Sequence, residues 1–205
     1  LNWYKNPLNR DYSKTLEIDI AGVPHVFAWG GLHGAIPQYF GEGSFINVDV
    51  ASYYPSLMLV YKWLSRNVAD PSKYAEIYHT RLKLKAEKNP MQQPYKIVLN
   101  STYGAMKDRH NAMYDPRQAN NVCVGGQLLL LDLIERLEDH CDIIQSNTDG
   151  ILVKLRHDDD FELIDDICWE WEKRTGMRLE FDEFQRVFQK DVNNYLIVPA
   201  GPLLD

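Results

Sequence analysis

Cysteine is scarce in this chain, with three in 205 residues. Cys123, Cys141 and Cys168 form no C-x-x-C pair and leave an odd number, so a disulfide scaffold is excluded and buried free thiols in a reducing, cytoplasmic setting are expected. The six histidines lack metal-ligand spacing, which argues against a structural zinc site. There is no apolar run long enough to span a bilayer and no opening segment of signal-peptide type, so no membrane partner is expected. A basic surplus is missing too: 22 Lys and Arg stand against 29 Asp and Glu, for a net charge of −7. That balance argues against a grip on nucleic acid through charge alone. Internal repeats and low-complexity tracts are absent.

What is present suits one globular domain, or one domain with an elaborated insert: 45% of residues are hydrophobic and 12% aromatic. The chain opens on Leu1 rather than Met, as expected of a piece of something longer. Charge is unevenly placed. Between positions 73 and 96 lie Lys73, Arg81, Lys83, Lys85, Lys88 and Lys96 against Glu76 and Glu87, whereas acids dominate between 132 and 183. An acidic body with a basic arm can still hold a polyanion when metal ions lie between them.

Hydrophobic periodicity and turn chemistry predict strands at 16–20 and 25–29, a glycine-rich link over 30–43, and a strand at 45–50. Helices are expected from Pro55 to about Leu64, from about 73 to 88, over 95–107 and over 117–139, where "LLLLDLIERL" supplies a buried face. A hairpin follows at 141–155, then an amphipathic helix over 160–174 closed by Gly176, and strands at 178–189 and 192–198. The expected class is α+β: a mostly antiparallel sheet with helices on one face and a two-helix excursion.

The hairpin turn carries "NTDG", from Asn147 to Gly150. Asn, Asp and Gly commonly sit in such turns for their backbone tolerance alone. The strand at 45–50 offers a second acid in "NVDVASYYPSLM", where Asp49 is the one acid between Phe45 and Met58. It can serve as a turn or capping acid ahead of the Pro55 helix. Alternatively, an acid at the end of an apolar strand escapes the cost of burial by pairing or by binding metal. Two carboxylates from separate strands of one sheet can converge on a pair of magnesium ions about 3.5–4 Å apart, the arrangement that clamps the oxygens of phosphoryl transfer. Between the acids lies "PYKIVLNSTYGAMKD", in which helical spacing puts Lys96, Asn100, Tyr103 and Gly104 on one face. Such a face is either solvated or turned to a ligand: a cation for phosphate, a ring for a base, and a glycine for close backbone approach.

Taken in order, these three segments resemble the signature motifs of family B DNA polymerases. "DVASYYPS", from Asp49, resembles the family's D-x-x-S-L-Y-P-S motif. "KIVLNSTYG", from Lys96, matches K-x-x-x-N-S-x-Y-G at every specified position, and its Lys-to-Tyr spacing, with Gln92 a turn before the lysine, separates it from family A polymerases. "NTDG" resembles the D-T-D-S hairpin. The flavour is that of the compact bacteriophage enzymes, which implies a bacterial host cytoplasm. The resemblance implies a palm and fingers region: 1–64 as the N-terminal part of the palm, 65–107 as a fingers insertion, and 108–205 as the C-terminal part of the palm. A proofreading exonuclease and a full thumb are not covered, and are expected as partners elsewhere in a parent chain.

The resemblance also implies roles. Asp49 and Asp149 would bind two magnesium ions, which manganese can replace, with the Val50 carbonyl as a further ligand. Tyr54 would be the steric gate that selects deoxynucleotides. Lys96 would contact the triphosphate and protonate the leaving pyrophosphate, and Arg81 and Lys85 would complete a phosphate clamp; the bland reading of that pair is a solvated basic face. Asn100, Tyr103 and Gly104 would border the nascent base pair. "GGLHGA", at Gly30 and Gly31, would touch template backbone, and Tyr195 the primer strand. The activity implied is template-directed transfer of deoxynucleotides from dNTPs to the 3′-hydroxyl of a primer paired with template DNA.

Two departures from the motifs stand out. Asn147 occupies the place of a first aspartate, removing one charge, and Asn193 in "KDVNNYLIV" occupies the place of a lysine that Lys190 is expected to replace. Two other readings stay open. A catalytically inactive DNA-binding relic would need neither Asp49 nor Asp149, and a two-metal nuclease would explain the acids but not Lys96 or Tyr54. On its own the piece is expected to bind nucleotide and magnesium but to extend primers weakly or not at all.

Overall fold

The computed structural model describes residues 14–201, so the outer ends of the first and third expected segments lie outside the described residues. Eight strands form one sheet: β1 Leu16–Ile20, β2 Val23–Ala28, β3 Gly31–Ala35, β4 Tyr39–Val50, β5 Cys141–Asn147, β6 Gly150–Leu155, β7 Leu179–Asp191 and β8 Asn194–Pro199. Their order is β1-β2-β3-β5-β6-β4-β7-β8, with every neighbouring pair antiparallel. Among the described residues five helices are interspersed: α1 Tyr53–Val60, α2 Pro71–Ala86, α3 Gln92–Lys107, α4 Pro116–Leu137 and α5 Asp160–Thr175. The fold is α+β. No helix among the described residues is long and apolar enough to cross a membrane.

The chain divides into two compact units. One is helical and runs from Ser52 to Gly125; the other holds the whole sheet, in residues 14–51 and 126–201. Helix α4 belongs to the first unit up to Gly125 and to the second beyond it.

Within the sheet unit, β6 is central, and consecutive residues Ile151, Leu152 and Val153 are all buried. A strand covered on both faces reads as a continuous apolar run, as "GILV" does. Phe45, Ile144, Leu152 and Val187 form one cluster, with Ile36, Tyr39, Phe184 and Ile197 packed against it. The segment expected as a link over 30–43 is mostly strand. β3 pairs with β2 and β5, and β4 begins at Tyr39, because glycines leave room where neighbours crowd the backbone. A Cβ on Gly34 would lie 2.3 Å from His25 Cδ2, and Gly43, at φ 129, takes up the register shift between Glu42 and Phe45.

Helix α5 is held to α4 by Trp171, which is fully buried and donates from Nε1 to the Leu129 carbonyl at 3.2 Å. It ends at Gly176, whose φ of 73 is the left-handed cap that glycine supplies without strain. In the helical unit, α2 starts from Asp70, which accepts from the Ser72 amide, with Pro71 in the first turn. α2 packs on α3, where the Tyr74 hydroxyl donates to the Leu99 carbonyl at 3.0 Å. Asp115, just ahead of α4, accepts from the backbone N–H and the guanidinium of Arg66, an arrangement that holds its carboxyl below the usual carboxylate range.

Trp171→Ala removes the largest buried side chain of the sheet unit and its hydrogen bond. It is expected to destabilise that unit by about 3–5 kcal/mol, read as a lower urea midpoint by far-UV circular dichroism.

Candidate active site

Asp49 stands one residue from the end of β4, and Asp149 occupies the turn between β5 and β6. The β4–β6 register brings them together. Asp49 faces Gly150 across the ladder, and the Val50 amide donates to the Asp149 carbonyl at 2.7 Å. Gly150 is a requirement of this arrangement. A Cβ there would lie 1.8 Å from Asp49 Oδ1, so only glycine lets the Asp49 carboxylate lie over the β6 backbone. Asn47, two residues earlier on the same face of β4, donates from Nδ2 to Asp49 Oδ2 at 2.7 Å.

The electrostatics are those of a crowded acid cluster. Burial, then the charge of Asp149, then those of Asp182 and Glu180, push the Asp49 carboxyl up to about 6, against the opposing hydrogen bond from Asn47. Glu180 and Asp182 sit on β7 opposite Asp49 and Asn47 in register. They are the members of the site that sequence reasoning missed. Their signal was the alternation in "LEFDEF", where Glu180 and Asp182 share a strand face. The Asp49 and Asp149 carboxylates border a cavity of about 220 Å³, which Asn47, Gln145, Asn147 and Tyr195 also line. Asn147 lies in register opposite Gly150, so an amide and not a third carboxylate completes that edge.

Hard oxygen donors with surplus negative charge fit a divalent cation of the magnesium class, which takes a few carboxylates and leaves the remaining positions to water and phosphate. Among the described residues no group of three or more His, Cys, Asp or Glu side chains is placed to hold a metal ion, so such an ion would rest on fewer protein ligands.

The other sequence-derived site residues of the sheet unit separate into two groups. Gly30 is exposed, whereas Gly31, at φ 137, is buried against the Thr148 side chain. Lys190, Asn193 and Tyr195 lie along one groove of about 710 Å³ with Gln38 and Phe188. Lys190 is exposed there beside Asn193, and Tyr195 borders both this groove and the carboxylate cavity.

In the helical unit, Tyr54 lies in the first turn of α1 with its ring 4.6 Å from that of Tyr103, edge to face. Tyr103 corrects the expected outward face of α3. It is 8% exposed and belongs to the buried stripe of Leu99, Thr102 and Met106, while Lys96, Asn100 and Gly104 stay exposed. Heptad spacing from Lys96 put the tyrosine on the same face, but its ring turns into the contact with Tyr54, and the Lys107 ammonium covers it at 4.3 Å. Open space surrounds Gly104. Arg81 also departs from a solvated face: it is 7% exposed and donates to the hydroxyl of Ser52, the residue that begins α1, with its Nε buried and unbonded. Lys85, one turn on, is exposed.

No protein-family model matches the chain. A DNA polymerase of Acidianus bottle-shaped virus (isolate Italy/Pozzuoli) is 52% identical over 33 residues, which are 16% of this chain and 5% of that protein. The family B DNA polymerase from the hyperthermophilic archaeon Pyrobaculum calidifontis superposes with a TM-score of 0.61 over 95% of this chain and 29% of its own, at 17% identity. The chain shares its fold with part of a family B DNA polymerase. It spans about 29% of that solved polymerase and about 5% of the viral one. The sequence match is to a virus of an archaeal host, and nothing in it points to the bacteriophage enzymes in particular.

The raised Asp49 carboxyl has a stability consequence. The folded chain holds this proton more tightly than the unfolded chain, so stability falls as pH rises from about 4 through about 6. With chelator present, Asp49→Asn is expected to stabilise the chain by on the order of 1 kcal/mol at about pH 7.5 and to make little difference near pH 4. Thermal midpoints across that range provide the measurement, and a gain independent of pH would contradict the assignment.

Proposed function

We propose that the chain is the nucleotidyl-transfer portion of a DNA-directed DNA polymerase, acting on a primer paired with template DNA and on dNTPs. The observation that carries this reading is the convergence of Asp49 and Asp149 at the β4–β6 seam, within a fold shared with a family B polymerase. Magnesium ions held by these two carboxylates, with the Val50 carbonyl as a further donor, would supply electrostatic stabilisation to the attacking and leaving oxygens.

The chain's own residues do the rest. Asn47 fixes the rotamer of Asp49 by its 2.7 Å hydrogen bond, and Gly150 leaves the carboxylate room. The helical unit supplies groups suited to a nucleoside triphosphate. Arg81, buried beside Ser52 at the start of α1, places a permanent cation next to the N–H groups of that helix end, a combination that favours phosphate. Lys96 and Lys85 add ammonium groups at the surface. Lys96 is assigned the proton that the leaving pyrophosphate takes up. The Tyr54 ring, braced by Tyr103, is assigned the floor of the sugar pocket, where a 2′-hydroxyl would clash. Gly30, Lys190 and Tyr195 are assigned contacts to template and primer, and the cytoplasm of a host cell is the proposed setting.

Primer extension by the parent chain tests the proposal. Asp49→Ala and Asp149→Ala are each expected to lower kcat by about 1,000-fold or more while leaving the far-UV spectrum intact. Tyr54→Ala should raise ribonucleotide use relative to deoxynucleotide use by about 10-fold or more. Retained synthesis in both aspartate variants would sink the polymerase reading. Equal loss of both sugars in Tyr54→Ala would make that ring structural.

A further inference from the structure

We propose that His33 is a positioning residue for the carboxylate site: through Thr148 it holds the β5–β6 turn in the pose that presents Asp149. This rests on the two-metal reading above and gives part of the "GGLH" segment a task inside the protein.

The turn needs holding. Thr148, directly before Asp149, has φ 53, and a β-branched residue rarely occupies left-handed backbone unless its surroundings impose it. Strand β3 imposes it at three points. The Thr148 amide donates to the Leu32 carbonyl at 2.8 Å, and the Thr148 hydroxyl lies 2.9 Å from His33 Nε2. Gly31 gives way to the same side chain: a Cβ there would stand 2.9 Å from Thr148 Oγ1 and 3.0 Å from its Cγ2. The β3–β5 register sets His33 opposite Asn147, so the imidazole reaches the turn from the last pair of the ladder.

The imidazole is suited to accept. Burial lowers its pKa, against the Gly31 carbonyl and the Asp149 charge, and so favours the neutral ring. A neutral ring with its proton directed at Gly31 offers Nε2 to the Thr148 hydroxyl. On the other side of Asp149, its carbonyl accepts from the Val50 amide. Asp149 is therefore gripped from β4 through its own backbone and from β3 through its neighbour. The geometry resembles the outer support of metal ligands, whose loss weakens metal affinity without removing a ligand.

The test uses the full chain and Mn²⁺ as probe, followed by electron paramagnetic resonance, with thermal midpoints and amide exchange at Thr148 and Asp149 measured in chelator. His33→Ala and Thr148→Val are each expected to weaken Mn²⁺ binding by about 10-fold or more, and the double variant to be no worse than either single one. His33→Gln, whose amide oxygen reaches the position of Nε2, should recover most of the affinity. Thr148 exchange should speed up in His33→Ala while the thermal midpoint moves little. Unchanged Mn²⁺ affinity in His33→Ala, additive losses in the double variant, or losses that merely follow the midpoint would overturn the assignment. If the wild type binds Mn²⁺ no better than Asp49→Ala does, the two-metal reading fails. Amide exchange then decides separately whether His33 holds the turn.

Discussion

Everything in the candidate site depends on one close approach, that of the Asp49 carboxylate to the β6 backbone at Gly150. It fixes which residue can stand at 150, sets the register that puts Asp49 opposite that glycine, and carries the neighbouring Val50 amide to the Asp149 carbonyl. Two acids that are a hundred positions apart in the chain thereby share one end of a strand pair. The cost is visible in the Asp49 carboxyl, which burial and three acidic neighbours drive towards the protonated form. A fold seldom concentrates like charge without a use for it, and clusters of this kind are where bound cations or catalysis are found. The neutral amides of Asn47, Gln145 and Asn147 around the same cavity temper that charge.

Much of this was legible in the sequence, for reasons that can be named. The α3 and α4 segments are long and periodic, and the 141–155 hairpin combines apolar runs with turn residues, so local patterns alone define them. The two acids stood out because each interrupts an apolar context. The segment from Gly30 to Gly43 was not legible, since its glycines suggested a link. Strand formation there depends on close contacts with His25, Tyr39 and Thr148, which are invisible without the neighbouring strands. The burial of Tyr103 and of Arg81 was not foreseen, for a related reason. Helical spacing tells which residues share a face, but the burial of that face depends on what packs against it, here Tyr54 for the one and Ser52 for the other. Glu180 and Asp182 join the site only through the β4–β7 register, a tertiary fact.

The helical and sheet units carry different kinds of chemistry. The sheet unit gathers acids on rigid strand ends and a turn clamped from two sides, which suits a group whose position must not drift. The helical unit offers a buried cation, Arg81, and several exposed ones on α2 and α3.

The pairing of β4 with β6 also has a kinetic meaning. The helices between them are local in sequence, whereas this ladder joins segments separated by the entire helical unit. Closing so large a loop costs entropy before any ladder contact repays it, and such non-local pairings slow folding. On a nascent chain, Asp49 leaves the ribosome long before the strand that completes its surroundings. Until β6 arrives, the apolar β4 edge is an open template for strand addition by another chain. The same register that builds the site therefore sets the interval during which this protein is most exposed to aggregation, and that interval lengthens with any insertion between residues 50 and 141.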